Sequence, residues 1–290
     1  MSCLITTYNS RLMTLCEHRK GKVFICRFSN NWNKCISSIL DASGFEAVLR
    51  QQKQILIKPN LVEALKPPIT TPVELTEALV SYIRERTAGV DIAIGEGTGA
   101  AEYDTQYVFN KLGYTRLAEE KSVKLIDLNK EPLVKLTNPK LSRWQEIYLP
   151  GILFDSFIIS VPVLKAHSLA DVTLTMKNMM GAAPPSHYQK GGHWKKSAFH
   201  QRMQESILDL NRYRTPDFTI LDATIGMKEA HLWGPVCDPH PNIIAAGFDP
   251  VAIDAYGAEL LKKDWKKVGY IRTAHGELGI AEPLDISEEI

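Results

Sequence analysis

Two lysines, Lys165 and Lys177, and two histidines, His167 and His200, fall in one stretch with Asn178 and Gly181 between them. A lysine is a point charge suited to a carboxylate or phosphate. When desolvated, its pKa falls until it can act as a base or a Schiff-base nucleophile. Histidine transfers protons near neutral pH and ligates metals. An asparagine beside a glycine adds a neutral donor where an anion can approach closely. These residue types suggest a small anion bound for proton transfer next to its carboxylate or phosphate. Lys165, His167, Lys177 and His200 are the candidate catalytic residues, and His167 and His200 the candidate ligands of a divalent metal. His187 and His193 lack the spacing of a zinc helix motif and read as loop residues.

Those side chains must be positioned by a scaffold, and its pattern alternates short apolar runs with amphipathic stretches, as in α/β proteins. Strands are predicted over 22–28, 54–58, 90–94, 123–128, 157–163, 218–221 and 243–246. Helices are predicted within 31–51, from Asp104 to Gly113, over 198–213, from Asp249-Pro250 to Leu260, and near 265–275. Thr71-Pro72-Val73-Glu74 reads as a capping box opening another helix, which Gly89 stops. The expected fold is a mixed, mostly parallel sheet flanked by helices. It forms one domain over 21–290, with sub-lobes 21–150 and 151–290, behind an N-terminal extension over 1–20 that includes an alternative start at Met13.

Open α/β sheets bind ligands beyond the carboxyl ends of their strands. The strand over 54–58 ends in Lys58-Pro59-Asn60, and that over 90–94 in Gly95-Glu96-Gly97-Thr98-Gly99. The strand over 157–163 leads to Lys165 and His167, and that over 218–221 to Asp222. A charge at the end of a buried strand needs water, a partner or a ligand. The expected binding set is Lys58, Asn60, Thr70, Thr71, Glu96, Gly97, Asn178, Gly181 and Asp222, with Glu96 or Asp222 orienting a histidine or holding metal. Thr173, Lys177 and Gly181 are expected on one helical face. Gly95-x-Gly97-x-x-Ala100 matches a dinucleotide fingerprint, but the helix after it starts late and Asp127 lies too far on. It reads instead as a phosphate-binding or permissive loop. Asp249 reads as a helix cap, and Asp254 as a buried acid with a capping partner. Trp194, Trp233 and Tyr188 read as packing.

Bulk properties narrow the classes. Lys plus Arg is 34 against 33 for Asp plus Glu, a net charge of +1 that gives no reason to expect nucleic acid or an anionic membrane as partner. It is compatible with a homo-oligomer. No apolar run approaches a signal peptide or membrane span. The five cysteines, Cys3, Cys16, Cys26, Cys35 and Cys237, form no C-x-x-C pair. Reduced thiols in the cytoplasm are expected, with no iron–sulfur motif.

Several of these runs together resemble the domain of unknown function 362 family, from about 20 to 282. They are Ile57-Lys58-Pro59-Asn60-Leu61, Thr70-Thr71-Pro72, Gly95-Glu96-Gly97, Val161 to His167, Thr173 to Gly181, His200, Leu221-Asp222-Ala223 and Phe248 to Ala255. Many members of that family carry ferredoxin-like modules with two four-cysteine clusters, which implies redox chemistry for those members. This sequence has neither the module nor its cysteines. The family is also distantly similar to the N-terminal part of the nickel-pincer lactate racemases, which use histidines and a lysine on a 2-hydroxy acid. That similarity implies His167 and His200 as an acid–base pair and Lys165 or Lys177 as carboxylate binder. The expectation is an enzyme with isomerase- or racemase-like proton transfer on a small anion. The alternatives are a flavin-, deazaflavin- or nicotinamide-dependent oxidoreductase, and a ligand-binding protein without turnover.

Overall fold

Apolar strands between amphipathic helices bury both faces of a sheet, and the computed structural model, which describes residues 19–289, has that architecture. The expected N-terminal extension up to residue 18, with Met13, Cys3 and Cys16, lies outside the described residues. The strands are β1 (Lys22–Arg27), β2 (Gln54–Pro59), β3 (Asp91–Glu96), β4 (Lys124–Asp127), β5 (Leu133–Thr137) and β6 (Glu146–Pro150). They continue as β7 (Phe157–Val161), β8 (Val163–His167), β9 (Asp171–Thr173), β10 (Phe218–Met227), β11 (Ile243–Gly247) and β12 (Asp285–Glu289).

One ten-stranded sheet runs β12-β1-β11-β10-β7-β2-β3-β4, with β8 paired to β10 and β9 to β8; β5 and β6 form a separate hairpin. From β10 to β4 the main path is parallel, and β11 runs antiparallel to both its neighbours. Alternate residues feed two cores. Ile55, Ile57, Ile92 and Ile94 pack with Ile39, Leu79 and Ile83 on one side. Leu56, Ala93 and Ile158 pack with Met176, Ile207 and Ala252 on the other. The sheet takes strands from both halves of the chain.

The differences from expectation have local causes. The run 157–163 is two strands, because Pro162 cannot donate to a ladder. β10 pairs with β7 through Phe218 and Thr219, then with β8 from Asp222. It runs on to Met227, so Asp222, Lys165 and His167 lie within strands rather than beyond their ends. The expected capping box is absent. The helix Val73–Arg86 starts without a side-chain cap, and the Thr71 hydroxyl instead donates to Val161 O at 2.6 Å.

The region 31–51 holds two helices, Trp32–Ala42 and Phe45–Leu49, broken where Gly44 takes φ +65°. Asp104 caps Thr105–Lys111 as expected, but a second helix, Tyr114–Lys121, follows Gly113. His200 ends a 3₁₀ turn, Ser197–His200, ahead of the helix Met203–Tyr213. Thr173 belongs to β9, so it shares no helical face with Lys177 in Thr175–Asn178 or Gly181 in the 3₁₀ turn Met179–Ala182. Asp249 caps Pro250–Leu260 as its Asp-Pro pair implied.

Candidate active site

Strands β2 and β3 stop at the same level, and β8 with the short helix Thr175–Asn178 closes the space beyond them. The result is a cavity of about 310 Å³. Of the expected site residues, Asn60, Glu96, Gly97, Lys165, His167, Lys177, Asn178, Gly181 and His200 line it. Lys58 stands behind Glu96. Thr70 and Thr71 lie outside the wall: Thr70 donates to Leu65 O, and Thr71 accepts the Asn60 N–H at 2.8 Å. Asp222 accepts the N–H and hydroxyl of Thr224 and does not reach the cavity, a consequence of its place inside β10.

The wall is a network of fully buried polar groups. Lys58 Nζ donates to Glu96 Oε1 at 2.9 Å and Asn178 Oδ1 at 3.3 Å. The Asn60 amide nitrogen donates to Asn178 Oδ1 at 3.0 Å, and Asn178 in turn donates to Lys58 O and Ser160 Oγ. Lys165 Nζ donates to Asn60 Oδ1 at 2.7 Å and Ile69 O at 2.6 Å. The Leu61 and Gly97 amides complete the Glu96 carboxylate. Glycine is required at 97 and 181. A Cβ at Gly181 would collide with Glu96 and Lys58, and one at Gly97 with Asn129 and the Gly181 carbonyl.

Burial sets the electrostatics. It lowers the Lys58 pKa against the opposing pull of Glu96. It brings Lys165 down to about 7, helped by the charge of Lys177, and Lys177 itself to about 8. The Lys177 amine makes no hydrogen bond or ion pair with any described residue. The nearby Thr173 hydroxyl is buried and also without a partner.

His167 is held in one state. Its Nδ1 accepts the backbone N–H of Leu169 at 3.0 Å and of Ala170 at 3.2 Å. The ring is then neutral with its proton on Nε2, a donor. Burial and the Lys177 charge push its pKa far down, which agrees. His167 therefore cannot take up a proton as half of an acid–base pair with His200. His200 keeps that capacity, with a pKa lowered by burial and Lys177. Among the described residues no three His, Cys, Asp or Glu side chains are placed to hold a metal ion. With the His167 Nε2 protonated as well, the residues present do not fit a metal centre at His167 and His200.

The glycine loop is not a phosphate cradle. The amides of Gly97, Thr98, Gly99 and Ala100 already donate to Glu96 Oε1, Thr105 Oγ1, Val62 O and Thr98 Oγ1. None is left for a pyrophosphate, which the dinucleotide fingerprint needs.

Lys196 and His231 are among the lining residues that the sequence reading missed, and Trp194 is one it took for packing. Lys196 is buried, donates to Asn129 Oδ1 and Ala183 O, and has its pKa lowered to about 7 by burial. Beside Lys195 and Lys190 it reads as part of a solvated loop. His231 stacks on His167 at 4.2 Å between ring centroids, with a pKa lowered to about 3 by burial and Lys177. It follows the true end of β10, and reading that strand to Met227 would have placed it at the rim. Trp194, expected to be packing, forms an isolated bridge with Ala100 at the cavity wall. Tyr188 does pack, against Trp144 and Phe199, and Trp233 is exposed. His187 stacks on Tyr148 away from the cavity.

A model of the family described as "Domain of unknown function (DUF362)" matches residues 55–259, and the chain belongs to that family. A thylakoid-associated protein from Synechocystis sp. is 24% identical over 231 residues, covering 76% of this chain and 67% of that protein. The lactate racemase apoprotein from Thermoanaerobacterium thermosaccharolyticum superposes with a TM-score of 0.54 at 12% identity, over 87% of this chain. This chain spans 58% of the racemase chain, and the likeness is one of fold. No helix among the described residues is long and apolar enough to cross a membrane.

Proposed function

We propose that this family member binds a small organic anion in the cavity and exchanges a proton at the carbon next to its acid group. One observation carries the reading: the buried Lys177 amine, facing the cavity, has no partner of its own among the described residues. A buried cation without a counter-charge is costly, and an anion removes that cost. The Thr173 hydroxyl and the His167 Nε2–H supply two neutral donors in the same cavity.

In this reading Lys165 is the base. Near its pKa of about 7 the amine is neutral for part of the time. Its two N–H bonds then go to Asn60 Oδ1 and Ile69 O, which leaves the lone pair. The substrate C–H proton passes to Lys165 Nζ. The electron pair it leaves moves into the acid group, where Lys177 and His167 stabilise the growing oxyanion. Return of the proton completes an isomerase- or racemase-like exchange, a reading in keeping with a fold shared with a racemase. The buried free thiols of Cys26, Cys35 and Cys237 support a reducing, cytoplasmic setting.

Deuterium incorporation from heavy water into candidate carboxylates, followed by NMR, tests the assignment. Lys165→Met is expected to bind the anion yet lose exchange, and Lys177→Ala to lose binding with its fold intact. Exchange that persists in Lys165→Met would remove the base from this account.

A further inference from the structure

The cavity cations are spread along the wall. Lys165 Nζ is bonded to Asn60, Asn60 to Asn178, and Asn178 to Lys58, the partner of Glu96. Beyond Glu96, Lys196 Nζ is bonded to Asn129, whose Oδ1 lies against Gly97, so Lys165 and Lys196 stand on either side of the Lys58–Glu96 pair. Lys177 lines the same cavity. Glu96 is the only carboxylate lining the cavity among the described residues, and Lys58 takes it at 2.9 Å. Neither Lys177 nor Lys196 forms an ion pair with a described residue, and Glu96, whose charge reaches Lys196, is bonded to Lys58. Lys177 has no protein acceptor. Lys196 has two, both neutral, so its third N–H is spare when the group is charged.

The geometry points to a ligand with two acid groups, one held at Lys177 and the other at Lys196, in the cavity that both line with Lys165. This rests on the anion-binding reading above and narrows it to small dianions: dicarboxylates or a carboxylate bearing a phosphoryl group. A single acid group at one end leaves the other lysine buried without a counter-charge. Among the described residues no arginine lines the cavity, so each acid group meets a point charge and single donors rather than a fork. A cavity of about 310 Å³ is at the small end for ligand sites and suits a short chain.

Titration calorimetry of the whole chain with propanoate, propanedioate, butanedioate and 3-phosphonopropanoate tests this, run at pH 8 in two buffers of different ionisation enthalpy. The best dianion is expected to bind roughly tenfold or more tighter than propanoate. It should also take up more protons, because Lys177 and Lys196 both recharge. Lys196→Met should remove that advantage. The comparison within the unaltered protein decides the matter even if the variant does not fold. Equal affinity and equal proton uptake for propanoate and every dianion would overturn the two-ended ligand while leaving anion binding in place. Failure of all four to bind would overturn both.

Discussion

Lys58 is fully buried, and among the described residues only Glu96 faces it with opposite charge. Removing one member of such a pair leaves a buried charge behind, which typically costs about 3–5 kcal/mol. Glu96→Gln is expected to lose that much in urea unfolding at neutral pH. The loss should shrink at higher pH, since the Lys58 pKa is already lowered and the amine can shed its proton. A loss independent of pH would mean that the Glu96 hydrogen bonds to Leu61 and Gly97 matter more than its charge. Gly181→Ala tests the same spot sterically. The new Cβ would push Glu96 and Lys58 apart, for about 1–3 kcal/mol of overpacking. The residue types at 58, 60, 96, 178 and 181 were legible in the sequence because charge at buried strand ends demands an explanation. Their mutual hydrogen bonds were not, since residues 58 and 178 are distant in sequence and meet only through β2, β7 and the helix Thr175–Asn178.

At the scale of elements, that short helix is what points Lys177 and Asn178 at the cavity. Four residues cannot hold themselves in helical form. Asp254, from the helix Pro250–Leu260, accepts the amides of Thr175 at 2.7 Å and Met176 at 3.2 Å, together with the Tyr270 hydroxyl at 2.9 Å. Asp254→Ala leaves three buried donors unsatisfied. It is expected to destabilise by about 3 kcal/mol or more, at roughly 1–3 kcal/mol for each group left unsatisfied. Denaturant unfolding measures this, and a change below about 1 kcal/mol would show that water replaces the carboxylate. The capping role of a buried acid among apolar residues was readable from Asp254 itself, but its client, 79 positions away, was not. Strands read well where apolar runs were continuous, as in β2, β7 and β11. They read poorly at Pro162 and along β10, where a strand changes partner without any change in hydrophobicity. The β5–β6 hairpin and β12 alternate too weakly to stand out; β12 is mostly exposed.

Across the whole molecule a net charge of +1 conceals a local excess of cations. Four lysines gather at one cavity with a single carboxylate among the described lining residues, and burial lowers all four pKa values from 10.5. The sign of the consequence is fixed by linkage. Between the folded values of about 7 to 8 and the unfolded 10.5, the unfolded chain binds more protons, so these groups add stability as pH rises. Asp254, raised to about 7, acts oppositely but below that window. Above about 9 the buried thiols of Cys35 and Cys237, with raised pKa values, act against the trend, but it reverses only once the lysine window closes near 10.5. The melting temperature without ligand is expected to climb from about pH 7 to about pH 9 and to fall only above about pH 10. A monotonic fall from neutrality would place the lysines in solvent. Composition could not reveal this, because it averages over a surface where Lys and Glu are interspersed.

In the proposed reading anion binding depends on Lys177, and a thermal-shift titration with butanedioate of the unaltered chain beside Lys177→Met tests it directly. Replacing an unpartnered buried amine by an isosteric apolar chain should raise the ligand-free melting temperature, by about 2–4 °C for each kcal/mol gained. The same change should abolish the upward shift that butanedioate gives the unaltered protein. A variant that melts lower than the unaltered chain and still responds to butanedioate would contradict the account.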